Sequence, residues 1–177
     1  MSIVCGIDEA GRGPLCGPVF ASAVILDDSF VFNKLADSKK LSENDRIILY
    51  NEIKLKAVDY SFAIASVEEI DELNILQASL LAMRRAFLLL KIKPDYIYID
   101  GLHCPDINKE IPMKAIVKGD SLIKSISAAS IVAKVERDKF MCDLDKKYPQ
   151  YNLKKHKGYP TREHISLLKK YGINEIY

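Results

Sequence analysis

Ile3-Val4-Cys5-Gly6-Ile7 runs directly into Asp8-Glu9-Ala10 and then into Gly11-Arg12-Gly13. The first five residues are short, apolar and rich in β-branched side chains, the pattern of a buried strand. Two carboxylates therefore stand at the C-terminal end of a strand, and a glycine-flanked arginine follows them. Two glycines permit positive φ and let backbone approach a ligand with no Cβ in the way. On its own G-x-G is a weak signal, since many turns contain it.

Pro18 to Leu26 is a second apolar run, and Asp27-Asp28-Ser29 forms a turn that returns it beside the first. Val58 to Ala65 alternates moderately and reads as a third strand. Tyr96 to Ile99 is a compact β-rich run ending at Asp100-Gly101, and Ala115 to Val117 is another, ahead of Lys118-Gly119-Asp120. Ser42 with Asp45 predicts an N-capped amphipathic helix. Glu68 to Leu90 carries a long helical pattern stopped by Pro94, a helix is expected from about Ser121 to Lys139, and Thr161 caps a last one to about Tyr171. Strands first and alternating helices later favour an α/β fold, a mixed central sheet flanked by helices, with a short helical C-terminal segment. One domain over residues 1–177 is expected, with 141–177 as a basic helical extension that grips substrate.

The 177 residues are about half apolar (49%) and over a quarter charged (28%), the balance of a globular protein. Net charge is only +2, so bulk charge announces no polyanionic partner. Between Lys134 and Lys170, however, eleven Lys and Arg face five Asp and Glu. A solvated helical face explains such a run as well as a phosphate-binding one does. The first apolar stretch meets Asp8 too early for a signal-peptide core, and Leu80 to Ile92 is broken by Arg84 and Arg85, so no membrane association is expected. Cys5, Cys16, Cys104 and Cys142 form no C-x-x-C pair, which points to reduced thiols and a cytoplasmic location. His103, His156 and His164 lack ligand spacing and read as surface residues.

The acidic residues carry the chemistry. Asp8 and Glu9 end one predicted strand, Asp100 ends another, and Asp120 opens a helix whose polar face, at offsets of seven, fourteen and eighteen residues, takes in Ser127, Lys134 and Asp138. Carboxylates gathered at close range raise one another's pKa unless a cation sits between them. Mg²⁺ is commonly held by one or two carboxylates with substrate phosphate, and two ions about 4 Å apart can clamp an in-line phosphodiester displacement. Taken singly, each acid has an ordinary reading: Asp120 as a helix cap, Asp100 as a turn residue, Asp138 as an ion-pair partner of Lys134.

The block Gly6 to Pro14, with Gly17-Pro18-Val19, closely resembles the opening signature of the ribonuclease HII family. The similarity continues in family order through Asp37-Ser38-Lys39-Lys40-Leu41, Asn74-Ile75-Leu76, Ala82 to Ala86, Asp100-Gly101, Lys118-Gly119-Asp120, Ser127 to Val135 with Arg137-Asp138, and His156-Lys157-Gly158-Tyr159. The resemblance implies an RNase H-like fold and an endonuclease that hydrolyses RNA in RNA–DNA hybrids. It also implies cleavage 5′ of ribonucleotides embedded in duplex DNA, as in ribonucleotide excision repair, leaving 3′-hydroxyl and 5′-phosphate ends.

By the same resemblance Asp8, Glu9, Asp100 and Asp120 form the catalytic, metal-binding set for Mg²⁺ or Mn²⁺, two ions with substrate bound. Gly11, Arg12 and Gly13 read the ribose 2′-hydroxyl, the group that marks RNA, and Tyr159 packs at the following sugar. Lys39 and Lys157 are candidate substrate contacts, Asp138 is structural, and the chain is expected to be a monomer. Two departures stand out. Pro160 follows Tyr159 and biases it toward extended backbone, and the chain ends soon after its last helix, which implies a weaker grip on the duplex. The position of Asp8 leaves no room for the preceding domain of ribonuclease HIII. A junction resolvase or transposase core would lack Gly11-Arg12-Gly13 and Tyr159, and a non-catalytic hybrid-binding module would be expected to have lost a carboxylate.

Overall fold

The computed structural model describes residues 2–32, 41–107 and 110–177. Lys39, with the rest of its block up to Lys40, lies outside the described residues. Five strands form one sheet: β1 (Val4–Ala10), β2 (Val19–Ile25), β3 (Asp59–Ala65), β4 (Tyr96–Asp100) and β5 (Met113–Ile116), in the order β3-β2-β1-β4-β5. β1, β2 and β3 pair antiparallel, as a turn-linked meander does, while β1, β4 and β5 pair parallel. The helices are α1 (Glu43–Lys56), α2 (Val67–Leu73), α3 (Ile75–Leu88), α4 (Lys124–Lys147), α5 (Leu153–His156) and α6 (Arg162–Tyr171).

Alternation along the strands divides the core. Ile7 and Ile99 face α3, whose Ala78, Ala82 and Ala86 leave room for close packing on the sheet. Val24 on the other face meets Ala128, Ile131 and Val132 of α4, which α1 covers in turn. Gly6 pairs with Val24 on this second face. Any side chain at Gly6 would overlap the Ser125–Ile126 peptide, so glycine allows α4 to lie directly on β1. A third apolar cluster, built on Cys16, Met141, Tyr151, Leu153 and Ile176, fastens the C-terminal helices to the loop after β1. α4 passes through position 141 without interruption.

Ser42 and Thr161 cap α1 and α6 as their sequence predicts, each accepting the backbone N–H three residues on. Two expectations need correction. The single helix predicted from Glu68 to Leu90 is two, because Asn74 adopts φ 72° and its side chain accepts from the N–H groups of Leu76 and Gln77, capping a fresh start. The helix expected from Ser121 begins at Lys124, and Asp120 instead sits in a 3₁₀ turn, Gly119–Ser121. Asp120 therefore shares no helical face with Ser127, Lys134 and Asp138.

Candidate active site

Parallel pairing of β1 with β4 places Ile7 beside Ile99. One residue further along each strand stand Asp8 and Asp100, both on the α4 face at the carboxyl ends of the strands, where open α/β sheets place their ligands. Asp8 is 5% exposed. Its pKa is pushed well above the usual carboxyl range, first by burial and then by the charges of Glu9 and Asp100, with a hydrogen bond from Ser130 on α4 opposing the shift. Glu9 is raised too, chiefly by burial, while Arg12 at 3.4 Å pulls it back. The second carboxylate oxygen of Glu9, Oε2, is buried with no hydrogen-bond partner.

Asp100 Oδ1 accepts the backbone N–H of Gly119 at 2.7 Å and that of Asp120 at 3.4 Å. This ties the Lys118-Gly119-Asp120 turn to the end of β4 and holds Asp120, 3% exposed, beside it. Among the described residues no three Asp, Glu, His or Cys side chains converge closely enough to hold a metal ion unaided. The donors nevertheless suit a hard divalent cation. They are all carboxylates, two have raised pKa values, and one presents a buried oxygen with nothing to bind it. An incomplete protein cage is also what Mg²⁺ shared with a substrate phosphate requires.

Beside the carboxylates lies a cleft of about 380 Å³, bounded by Glu9, Gly11–Gly13, Arg46, Ser130, Lys134 and Tyr159. The ring of Tyr159 stands beside the glycine loop, close enough that a methyl group at Gly13 would lie 3.5 Å from its Cε1. Lys134 Nζ stands 5.2 Å from the ring centroid and pairs with Asp138 at 2.8 Å, while Arg46 approaches the same carboxylate at 3.8 Å. Asp138 is thus an ion-pair hub. Lys157 does not line the cleft; its ammonium bonds the Lys154 carbonyl and lies 4.0 Å from Glu43. Sequence reading missed Arg46 and Ser130 as cleft residues and placed Lys134 only on a polar helix face. Nothing local marks Arg46, because α1 reaches the cleft through packing on α4.

The family model of ribonuclease HII matches residues 5–176. This chain belongs to the ribonuclease HII family. It is 49% identical over 176 residues to ribonuclease HII of Psychromonas ingrahamii, spanning 99% of this chain and 85% of that one. The ribonuclease H2 structure from Pyrococcus horikoshii superposes with a TM-score of 0.81 at 28% identity, covering 98% of this chain and 92% of that one. A Bst-RNase HIII structure in complex with Mn²⁺ shares the fold at 21% identity, with a TM-score of 0.71 over 82% of this chain and 55% of that one. The family's enzymes are ribonucleases H, endonucleases that act on RNA–DNA hybrids, and this chain is one by class. Among the described residues no helix is long and apolar enough to cross a membrane.

The histidines correct the sequence reading, for His156 and His164 are buried rather than superficial. Their rings stack at 4.1 Å and 18°. His156 Nδ1 accepts the Gly158 N–H at 3.2 Å, which makes Nε2 the protonated nitrogen donating to the Tyr151 carbonyl at 2.7 Å. His164 Nδ1 holds the Tyr159 carbonyl at 2.9 Å. The pair thereby fixes the backbone that carries the Tyr159 ring. Burial, more than the neighbouring His164, pushes the His156 pKa below 6.5. Folding favours its neutral form, so this contribution to stability is complete above 6.5 and declines as pH falls through the lowered pKa. Titration of the His156 ring followed by NMR should show a midpoint below 6.5, with the melting temperature falling in the same window. A midpoint at or above the ordinary value would refute the assignment of a neutral, accepting Nδ1.

Proposed function

We propose that the chain hydrolyses the RNA strand of RNA–DNA hybrids and cuts on the 5′ side of ribonucleotides embedded in duplex DNA, leaving 3′-hydroxyl and 5′-phosphate ends. The observation that carries this reading is the placing of Tyr159 beside Gly13 in a cleft that also contains Glu9. In the reading, backbone groups of Gly11, Arg12 and Gly13 hydrogen-bond a 2′-hydroxyl, and the Tyr159 ring packs on the next sugar. A deoxyribose there offers no hydroxyl to desolvate. Arg46 and Lys134, cations on the cleft wall, face the phosphates, a sequence-independent attraction.

Asp8, Glu9, Asp100 and Asp120 would hold Mg²⁺ or Mn²⁺, two ions with substrate present. Bound metal supplies charge neutralisation at the scissile phosphate and a water acidic enough to attack it at neutral pH. Burial of Asp8 and its bond from Ser130 keep that carboxylate aimed at the strand ends. The same reading has the chain acting as a monomer in the cytoplasm, in ribonucleotide excision repair. The deciding experiment is incubation with an end-labelled DNA duplex containing one ribonucleotide, with and without Mg²⁺. A single metal-dependent product ending in a 3′-hydroxyl just 5′ of the ribonucleotide is expected. Uncut duplex, or equal cutting of an all-DNA duplex, would refute the proposal.

A further inference from the structure

Arg137 on α4 is completely buried, 0% exposed, yet forms no ion pair with a carboxylate among the described residues. Its neighbour Asp138 is bound to Lys134 and Arg46 instead. The guanidinium donates to three main-chain carbonyls: Nη2 to Cys16 at 3.0 Å, Nε to Pro18 at 3.3 Å, and Nη1 to Lys157 at 2.8 Å. Cys16 and Pro18 belong to the loop that begins at Gly11. Lys157, at φ 51°, and Gly158, at φ 86°, turn the chain into Tyr159.

Gly11 lies directly over the guanidinium; at φ 110° it approaches so closely that any side chain there would strike Nε and Cδ of Arg137. A further bond, from the Leu15 N–H to the Gly158 carbonyl at 2.8 Å, joins the same two segments. One planar cation therefore sits beneath both walls of the cleft and bonds each of them. Burying an unpaired cation is unfavourable, and charge-assisted bonds to three carbonyls offset much of that cost. Arginine suits this task because its donors are fixed in one plane and point in several directions, whereas a lysine ammonium is a single point.

We propose that Arg137 is a positioning residue that sets the spacing between the Gly11–Gly13 loop and Tyr159, and so determines selectivity for an isolated ribonucleotide. The inference rests on the proposed reading of that loop and ring as the ribonucleotide sensor. An isolated ribonucleotide demands both contacts in one register. A continuous hybrid offers many registers and tolerates a loosened pair.

The test compares the parent protein with Arg137→Lys and Arg137→Gln, using kcat/KM on a duplex with one ribonucleotide divided by kcat/KM on a continuous RNA–DNA hybrid. Circular dichroism melts report folding. A sensor displaced by an ångström should lower that ratio by about tenfold or more in Arg137→Lys, and at least as far in Arg137→Gln, which removes the charge. A general loss of stability would reduce both activities together and leave the ratio alone. Folded variants with the parent's ratio would overturn the inference while leaving the proposed function standing. Failure of both variants to fold would assign Arg137 to stability alone and overturn it as well. If the parent spares the single ribonucleotide, it is the underlying reading of the sensor that falls.

Discussion

Asp8→Asn is expected to lower metal-dependent turnover by roughly three or more powers of ten, as removal of a group acting in concert with others does. The same variant should be more heat-stable than the parent in the absence of metal. Both halves follow from one fact: Asp8 is buried beside Glu9 and Asp100, and its ionised form is held there against desolvation and repulsion. The folded-state pKa lies above the ordinary 3.8, so between the two values the folded protein binds more protons than the unfolded one. Metal-free stability should therefore fall as pH rises from about 3.8 through the raised pKa. Asn has no proton to lose and removes that slope, while a bound divalent cation should reverse the parent's disadvantage. Melting curves across pH, with and without Mg²⁺, alongside turnover on a hybrid, check each half separately. Near-parental turnover in Asp8→Asn after metal titration would remove Asp8 from the metal-binding set.

Tyr159→Ala should reduce cleavage of a single-ribonucleotide duplex by about one to two powers of ten, the equivalent of the roughly 1–3 kcal/mol that an aromatic platform contributes when a base stacks on it. Tyr159 is 38% exposed, and its ring stands beside Gly13 with Lys134 Nζ 5.2 Å from its centroid. Its backbone is held independently of the ring, the N–H by the His156 carbonyl at 2.9 Å and the carbonyl by His164. Truncation should thus remove the platform and leave the loop in place, so a loss can be attributed to the ring. Tyr159→Phe should retain more activity than Tyr159→Ala unless the hydroxyl also bonds substrate. Loss on a continuous hybrid should be smaller, since no junction has to be found. If Tyr159→Ala cuts both substrates like the parent, Tyr159 is only a packed aromatic, and junction sensing belongs elsewhere in the cleft.

Much of the architecture was legible from short-range pattern. β2, β3, β4 and β5 lie within a residue or two of the runs that predict them, β1 continues three residues past its run to Ala10, and the caps at Ser42 and Thr161 are where their side chains placed them. These features depend on residues within a turn or a strand of one another, so local composition suffices. Asn74 shows the limit of that kind of reading. The apolar period runs on across it, and only its positive φ and its side-chain bonds to the next two N–H groups reveal that one helix ends and another begins.

The site divides along the same line. Local pattern is enough to show that carboxylates stand toward the ends of two buried strands, that a glycine loop follows the first, and that these blocks belong together in one family. Which side chains meet depends on how the strands register and the helices pack. Parallel register brings Asp8 level with Asp100, and Gly6 lets α4 lie close enough to set Ser130 over Asp8. Asp120 reaches its place through a turn capped by Asp100, not along a helical face. Arg46, Arg137 and the stacked His156 and His164 carry no local signature of their roles, because a guanidinium or an imidazole is read by its partners. Those partners are carbonyls, carboxylates and backbone N–H groups; Cys16 and Pro18 lie more than a hundred residues from Arg137 in the chain, and Asp138 lies far from Arg46. Their meeting is a consequence of how the helices pack on the sheet, and periodicity within a segment carries no information about that.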